Sequence, residues 1–249
     1  MFKNYFDFVK RFLNDPEYKK VVNSEINRMY LEGDRVEVIN FILKRLNRVT
    51  SYLELGASDL ETVFYKVNSF QKISVAYEDT TLKNNALYKM ENDQFFNSLR
   101  DNQILHSDKK WDLIFINGFH LAGSLYSYVL SALDFIKEDG FIIIQGCNPP
   151  TEWHAREKGE YHLSPAGFSW YGTAWKAFLK LRQSKTLFSC CVDVDSGIGI
   201  ISKKFPLGRL YSSDSNVFFE FKDLNQNRNK ALNLMTLEEF KFLIYSLTQ

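Results

Sequence analysis

Two runs, Trp111-Asp112-Leu113-Ile114-Phe115-Ile116-Asn117 and Phe141-Ile142-Ile143-Ile144, decide the fold. Both are short and almost unbroken in apolar character, which suits strands covered on both faces rather than half-exposed ones. Residues 124–137 between them place apolar side chains at three- and four-residue spacing, which predicts a helix. Strand, helix and strand in that order make a parallel crossover, and such crossovers are right-handed almost without exception.

Outward from this unit the alternation continues. Strands are expected at 51–55, 72–76, 111–117, 140–145, 186–191 and 197–201, with helices at 60–68, 93–101, 124–137 and 173–183. The last two strands are joined by the short segment 192–196, so they form a hairpin and an antiparallel edge. Before this α/β domain, residues 2–48 show helical spacing in two segments separated by Gly33-Asp34. Asp34 is the expected N-cap, with Glu37 at the capping-box spacing. After it, 232–247 reads as a helix opened by Thr236 with Glu239 three residues on. The chain therefore divides into a helical preface (1–48), an α/β domain (49–204) and a C-terminal extension ending in a helix (205–249).

The chain has 249 residues, with 31 Lys and Arg against 30 Asp and Glu, and 45% apolar residues. A net charge of +1 offers no basic field for a phosphate backbone, so no nucleic-acid partner is expected. Aromatics at 16% supply the large side chains that disordered chains lack. No apolar run approaches the roughly 20 residues of a spanning helix, and Met1-Phe2-Lys3-Asn4-Tyr5-Phe6-Asp7 contains no cleavable apolar segment. No membrane partner and a cytoplasmic location are the expectations. Cys147, Cys190 and Cys191 match neither a metal spacing nor a disulfide framework and read as buried filling. Lys176, Lys180, Arg182 and Lys185 on the late helix read as a solvated basic face.

Ligands of open α/β sheets bind outside the carboxyl ends of the strands. The first strand ends in Tyr52-Leu53-Glu54-Leu55-Gly56, and Glu78 follows Gly56 at the distance of a ribose-binding acid. A dinucleotide fingerprint would require glycine at 58 and 61, where Ser58 and Glu61 stand, which argues against a nicotinamide or flavin enzyme. No Gly-x-Ser-x-Gly elbow or phosphate-binding loop is present, which removes hydrolase and nucleotide-triphosphatase readings. The loop from Asn148 to Tyr171 is rich in aromatics, including Trp153 and Trp170, and suits a sugar or a protein interface equally. His154 and His162 with Glu157 or Glu160 match no strong zinc pattern.

Tyr52-Leu53-Glu54-Leu55-Gly56 resembles the first motif of class I S-adenosylmethionine-dependent methyltransferases. Trp111 to His120 is similar to the fourth-strand motif of one branch. Gln145-Gly146-Cys147-Asn148-Pro149-Pro150-Thr151-Glu152-Trp153-His154 resembles that branch's Asp-Cys-Asn-Pro-Pro-Thr-Glu-Trp-His stretch, and Gly172–Ala177 and Asp193–Gly199 look like its later signatures. The similarity covers roughly residues 50 to 204 and extends to sugar and natural-product O-methyltransferases. It implies a Rossmann-like fold and S-adenosylmethionine as cofactor. The implied cofactor residues are Glu54, Gly56, Ser58, Glu78 or Asp79, and Asn92 or Asp93. His120 would be the base, with Asn117 beside it in the catalytic pair. Asn148, Trp153, His154 and Trp170 would meet a small acceptor, namely a hydroxylated molecule or a carbohydrate.

Four positions depart from that pattern. Leu60 replaces the third motif glycine, Ala76 stands where the ribose-binding acid belongs, and Asn117 and Gly146 occupy places where the branch carries carboxylates. An amide and a missing side chain make a poor octahedral site for a hard cation, so no metal is expected. Two readings remain open: a metal-independent O-methyltransferase, and a catalytically degenerate methyltransferase-like module that binds a protein partner or assembles with its own copies.

Overall fold

The computed structural model of the chain describes residues 2–57, 59–77, 86–159, 164–167, 169–212 and 216–248. Three helices open the chain: α1 (Phe2–Asn14), α2 (Pro16–Met29) and α3 (Arg35–Arg45). The predicted two-segment preface is thus three helices. The additional break falls at Asp15-Pro16, where the Asp15 side chain accepts from the Tyr18 amide and proline takes the first helical position, which it tolerates because that N–H has no partner within the helix. Asp34 caps α3 as expected, accepting from the Glu37 amide.

The strands are β1 (Ser51–Leu55), β2 (Gln71–Ala76), β3 (Tyr88–Lys89), β4 (Trp111–Ile116), β5 (Ile136–Gln145), β6 (Phe188–Val192), β7 (Ile198–Ser202) and β8 (Leu234–Met235). The remaining helices are α4 (Asn92–Arg100), α5 (Ala122–Phe135), α6 (Ala174–Arg182), α7 (Phe221–Leu232) and α8 (Leu237–Leu247). One eight-stranded sheet runs β3-β2-β1-β4-β5-β7-β6-β8. Its pairings are parallel except at β7, which is antiparallel to both β5 and β6. This is the Rossmann-like α/β fold with an antiparallel hairpin that the sequence predicts, and β8 pairs along the outer edge of β6.

Alternate side chains of the central strands feed two cores. Leu53, Leu55, Ile114, Ile116, Ile142 and Ile144 pack with α4, α5 and α6. Tyr52, Leu113, Phe115, Phe141 and Ile143 pack with α3 and α8. α3 and α8 therefore complete one face of the sheet, and the Thr236–Glu239 capping box that starts α8 is fully formed.

Two further expectations fail. Residues 60–68 are not a helix: only a 3₁₀ turn, Phe64–Lys66, forms there. β-branched Thr62, Val63 and Val67 with aromatic Phe64 and Tyr65 disfavour helix, while Asp59 engages the Glu61 amide and the Thr62 hydroxyl. The Lys72 ammonium fastens the turn by donating to the Phe64 and Val67 carbonyls at 2.9 and 3.1 Å. Arg182 is not part of a solvated face. It is 3% exposed and donates to the backbone carbonyls of Ser189, Arg209, Lys230 and Ala231. It ties α6 to β6 and to the end of α7, a role that helical spacing alone does not reveal.

Candidate functional site

Strand order reverses between β1 and β4, which is where an open sheet leaves a crevice beyond its carboxyl ends. Glu54, at the end of β1, is fully buried. Its carboxylate accepts from the Tyr52 hydroxyl at 2.8 Å and the Asn117 amide at 3.1 Å. Burial pushes its pKa above the usual carboxylate value despite these bonds and the more distant Arg35 and Lys72. Among the described residues no cation lies within ion-pair distance of it. A buried carboxylate is normally paired, and Glu54 keeps lone pairs that its two donors do not fill.

Gly56 follows with φ +76, in the left-handed region that favours glycine. A Cβ there would overlap the Asn117 carbonyl oxygen and the Phe119 ring. The glycine is therefore required by the close approach of the loops after β1 and β4 to each other. Phe119 lies over it, its centroid 5.7 Å from Tyr77 and 4.8 Å from Tyr128.

Asn117 also lines a polar cleft of about 460 Å³, together with Asp34, Arg35, Thr62, His120 and Gln145. Arg35 links two other lining residues: Nε donates to Asp195 at 2.8 Å and another guanidinium N–H donates to Gln145, while Asp195 also accepts the Arg35 amide at the start of α3. His120 lines the same cleft. Its Nδ1 faces the Tyr171 carbonyl at 3.3 Å and its ring lies 4.7 Å from Trp170. A carbonyl accepts only from Nδ1–H, so Nε2 is left as the acceptor nitrogen. Burial lowers the His120 pKa and outweighs the Tyr171 carbonyl, which raises it.

The predicted site residues separate into groups. Glu54, Gly56, Asn117 and His120 gather around the β1–β4 crevice, with Trp170 behind His120. Asn92 begins α4; it is buried, and its Nδ2 has no hydrogen-bond partner among the described residues. Asp93 is exposed on that same turn. Ser58, Glu78 and Asp79 lie outside the described residues, as do Glu160, His162 and neighbouring parts of the aromatic loop.

The other predicted acceptor residues are engaged by the preface and the hairpin turn. Asn148 donates to Asp193 at 2.8 Å and accepts from Arg228. Trp153 Nε1 donates to Glu17 at 2.9 Å. His154 is fully buried between Thr151 at 2.8 Å and Glu25 at 2.6 Å, and its hydrogen bond holds the Glu25 pKa below the usual carboxylate range. Arg28 of α2 donates to the carbonyls of Asn148 and Asp195 and lies near Asp193.

Sequence reading did not select Arg35, Gln145, Asp195, Tyr77, Phe119 or Tyr128. Arg35 had one signal, its place directly after an N-cap. Phe119 stood inside the quoted motif but reads there as apolar filling. The three cysteines are fully buried and unpaired with one another, and burial raises the Cys190 thiol to about 12. No helix among the described residues is long and apolar enough to cross a membrane. Those residues also contain no cluster of three or more His, Cys, Asp or Glu side chains placed to hold a metal ion.

No family model matches the chain, and no curated protein matches it. Solved structures that it resembles include the Podospora anserina methyltransferase PaMTH1 in its SAH-bound form, at 14% identity and TM-score 0.44, over 74% of this chain and 88% of that one. An O-methyltransferase of Bacillus cereus in complex with SAH aligns at 13% identity and TM-score 0.43, over 76% and 92% of the two chains. The O-methyltransferase TomG of Streptomyces achromogenes, involved in tomaymycin synthesis and in complex with SAM, aligns at 11% and 0.42, over 76% and 90%. At these identities and TM-scores the likeness bears on neither substrate nor residue roles.

Proposed function

We propose that the chain is an S-adenosylmethionine-dependent methyltransferase that carries out O-methyl transfer to a small hydroxylated acceptor, including the carbohydrate class, without a metal. The observation that carries this reading is Glu54: a buried carboxylate with no ion-pair partner among the described residues, joined through Asn117 to a polar cleft that also holds His120. An amino-acid ammonium would supply the missing cation, and a charge-assisted hydrogen bond of that kind is stronger than a neutral one. Asn92 gives a second point of fit, because its partnerless amide N–H is matched to a purine ring nitrogen. This acceptor and this donor fit the ammonium and the purine of the cofactor, and the Phe119 ring lies over Gly56.

The bound cofactor supplies an electrophilic methyl group on a sulfonium, so the protein's task is to orient a hydroxyl and accept its proton. A lowered pKa keeps His120 neutral at neutral pH, the state in which Nε2 accepts that proton. The Tyr171 carbonyl fixes the tautomer, and Trp170 backs the ring. Metal independence is supported by the residues at the expected ligand positions: Asn117 offers a neutral amide oxygen where a hard cation prefers a carboxylate, and Gly146 has no side chain.

A second reading, a degenerate module, is favoured by the Gly56 loop, whose glycine is explained by the chain's own backbone, and by the satisfaction of Trp153 and His154 within the chain. Calorimetric titration with S-adenosylhomocysteine separates the two. The enzyme reading expects a binding heat, and its absence at millimolar ligand leaves only the module.

A further inference from the structure

We infer that Phe119 is a displaceable internal plug: its ring fills the slot over Gly56, between Tyr77 and Tyr128, that the adenosyl part of the cofactor would enter, so binding requires the ring to swing out. This inference rests on the methyltransferase reading.

The slot is built for a flat ring. Tyr77 and Tyr128 flank Phe119 at 5.7 and 4.8 Å between centroids, the second contact being edge-to-face. The two tyrosine side chains lie near enough to perturb each other's titration, so both walls face the same slot. Glu91, the residue before α4, lies near enough to both tyrosines to raise their pKa values, so the start of α4 borders the slot. Asn92 follows directly, with its buried Nδ2 lacking an acceptor among the described residues. A phenyl ring satisfies aromatic walls but offers nothing to that amide, because it has no lone pair at its edge. A purine offers both a π-face and ring nitrogens that accept. An occupant that fills the shape while leaving a buried donor unsatisfied is the weaker of two competitors for the same space.

The ring also has the means to leave. Phe119 is only half-buried and follows Gly118, which is exposed and has φ +77. A Cβ added at Gly118 would find only the Gly56 carbonyl oxygen within 4 Å, at 3.7 Å, so this joint is uncrowded. β4 ends at Ile116, and rotation of the Phe119 side chain about its own Cα–Cβ bond leaves that strand in place, along with His120, whose carbonyl accepts from the Thr173 amide. A conformation that must open before binding lowers apparent affinity by the open fraction.

The test is titration of the full chain, its Phe119→Ala and its Phe119→Leu variants with S-adenosylhomocysteine, with circular dichroism confirming the fold of each. If the closed form outnumbers the open one tenfold or more, Phe119→Ala binds about tenfold tighter or better, and Phe119→Leu falls between it and the unaltered chain. A single fluorine label on the Phe119 ring should shift its ¹⁹F resonance on titration, since the ring leaves its tyrosine frame. Measurable binding by the unaltered chain with equal or weaker binding by both variants, or an unmoved fluorine signal at saturation, overturns the plug and leaves the methyltransferase reading standing. Absence of binding by all three chains overturns both.

Discussion

Replacing Glu54 by glutamine should move stability and cofactor affinity in opposite directions. The side chain is fully buried and accepts from Tyr52 at 2.8 Å and Asn117 at 3.1 Å. Glu54→Gln would preserve both bonds: the new side-chain carbonyl accepts from Tyr52, and the new amino group donates to the Asn117 amide after that amide flips. What disappears is a carboxylate charge held away from water without a close cation. Relief of that cost should stabilise the fold by about 1–2 kcal/mol at neutral pH, read as a higher urea midpoint at unchanged slope.

The pH dependence has a definite sign. Burial raises the folded-state pKa of Glu54, so its favourable contribution is fully present below the unfolded carboxylate value of about 4.3 and is lost as pH rises through the folded one. The advantage of Glu54→Gln should therefore shrink as pH approaches 4 and grow toward 7. An ammonium ligand loses its charged acceptor, which at roughly 1.5–3 kcal/mol weakens S-adenosylhomocysteine binding about tenfold to 150-fold. A variant that is less stable at pH 7 and binds as tightly as the unaltered chain would refute the assignment of Glu54.

His120→Ala should cut turnover roughly a hundredfold or more, and the acid limb of kcat/KM should fall below the ordinary histidine value of about 6.5, because burial lowers its pKa; an unchanged rate removes the base. Arg182→Ala strands several buried carbonyls and should cost about 3–5 kcal/mol in urea unfolding, whereas a solvated arginine would cost under about 0.5 kcal/mol. Asp112 is buried, which raises its pKa, but bonds from Lys137, Ser51 and Arg48 outweigh this and hold it below the usual range. Asp112→Asn should lose about 3–5 kcal/mol at pH 7. Because the folded pKa is depressed, that difference should fade as pH drops below about 4; a constant difference across that window contradicts the ion-pair account.

The sequence by itself determined the layered architecture. Apolar runs at β4 and β5, the helical spacing between them, and the short link at 192–196 specified a mostly parallel sheet with one hairpin, because burial on both strand faces and connection length leave few alternatives. Caps at Asp34 and Thr236 were equally legible, since a cap is a local hydrogen bond between residues three apart. Motif residues Glu54, Asn117 and His120 could be selected, but their relations could not.

Only the tertiary structure decided those relations. It turned 60–68 into an irregular crossover, buried Arg182 against backbone carbonyls, and drew Trp153 and His154 to the acids of α2. It also set Phe119 on Gly56. Each of these depends on partners distant in sequence, and a side chain's desolvation and hydrogen-bond satisfaction are set by what surrounds it in space. Local pattern carries propensity and periodicity; whether a carboxylate or an imidazole is poised for chemistry is decided where separate strands end side by side.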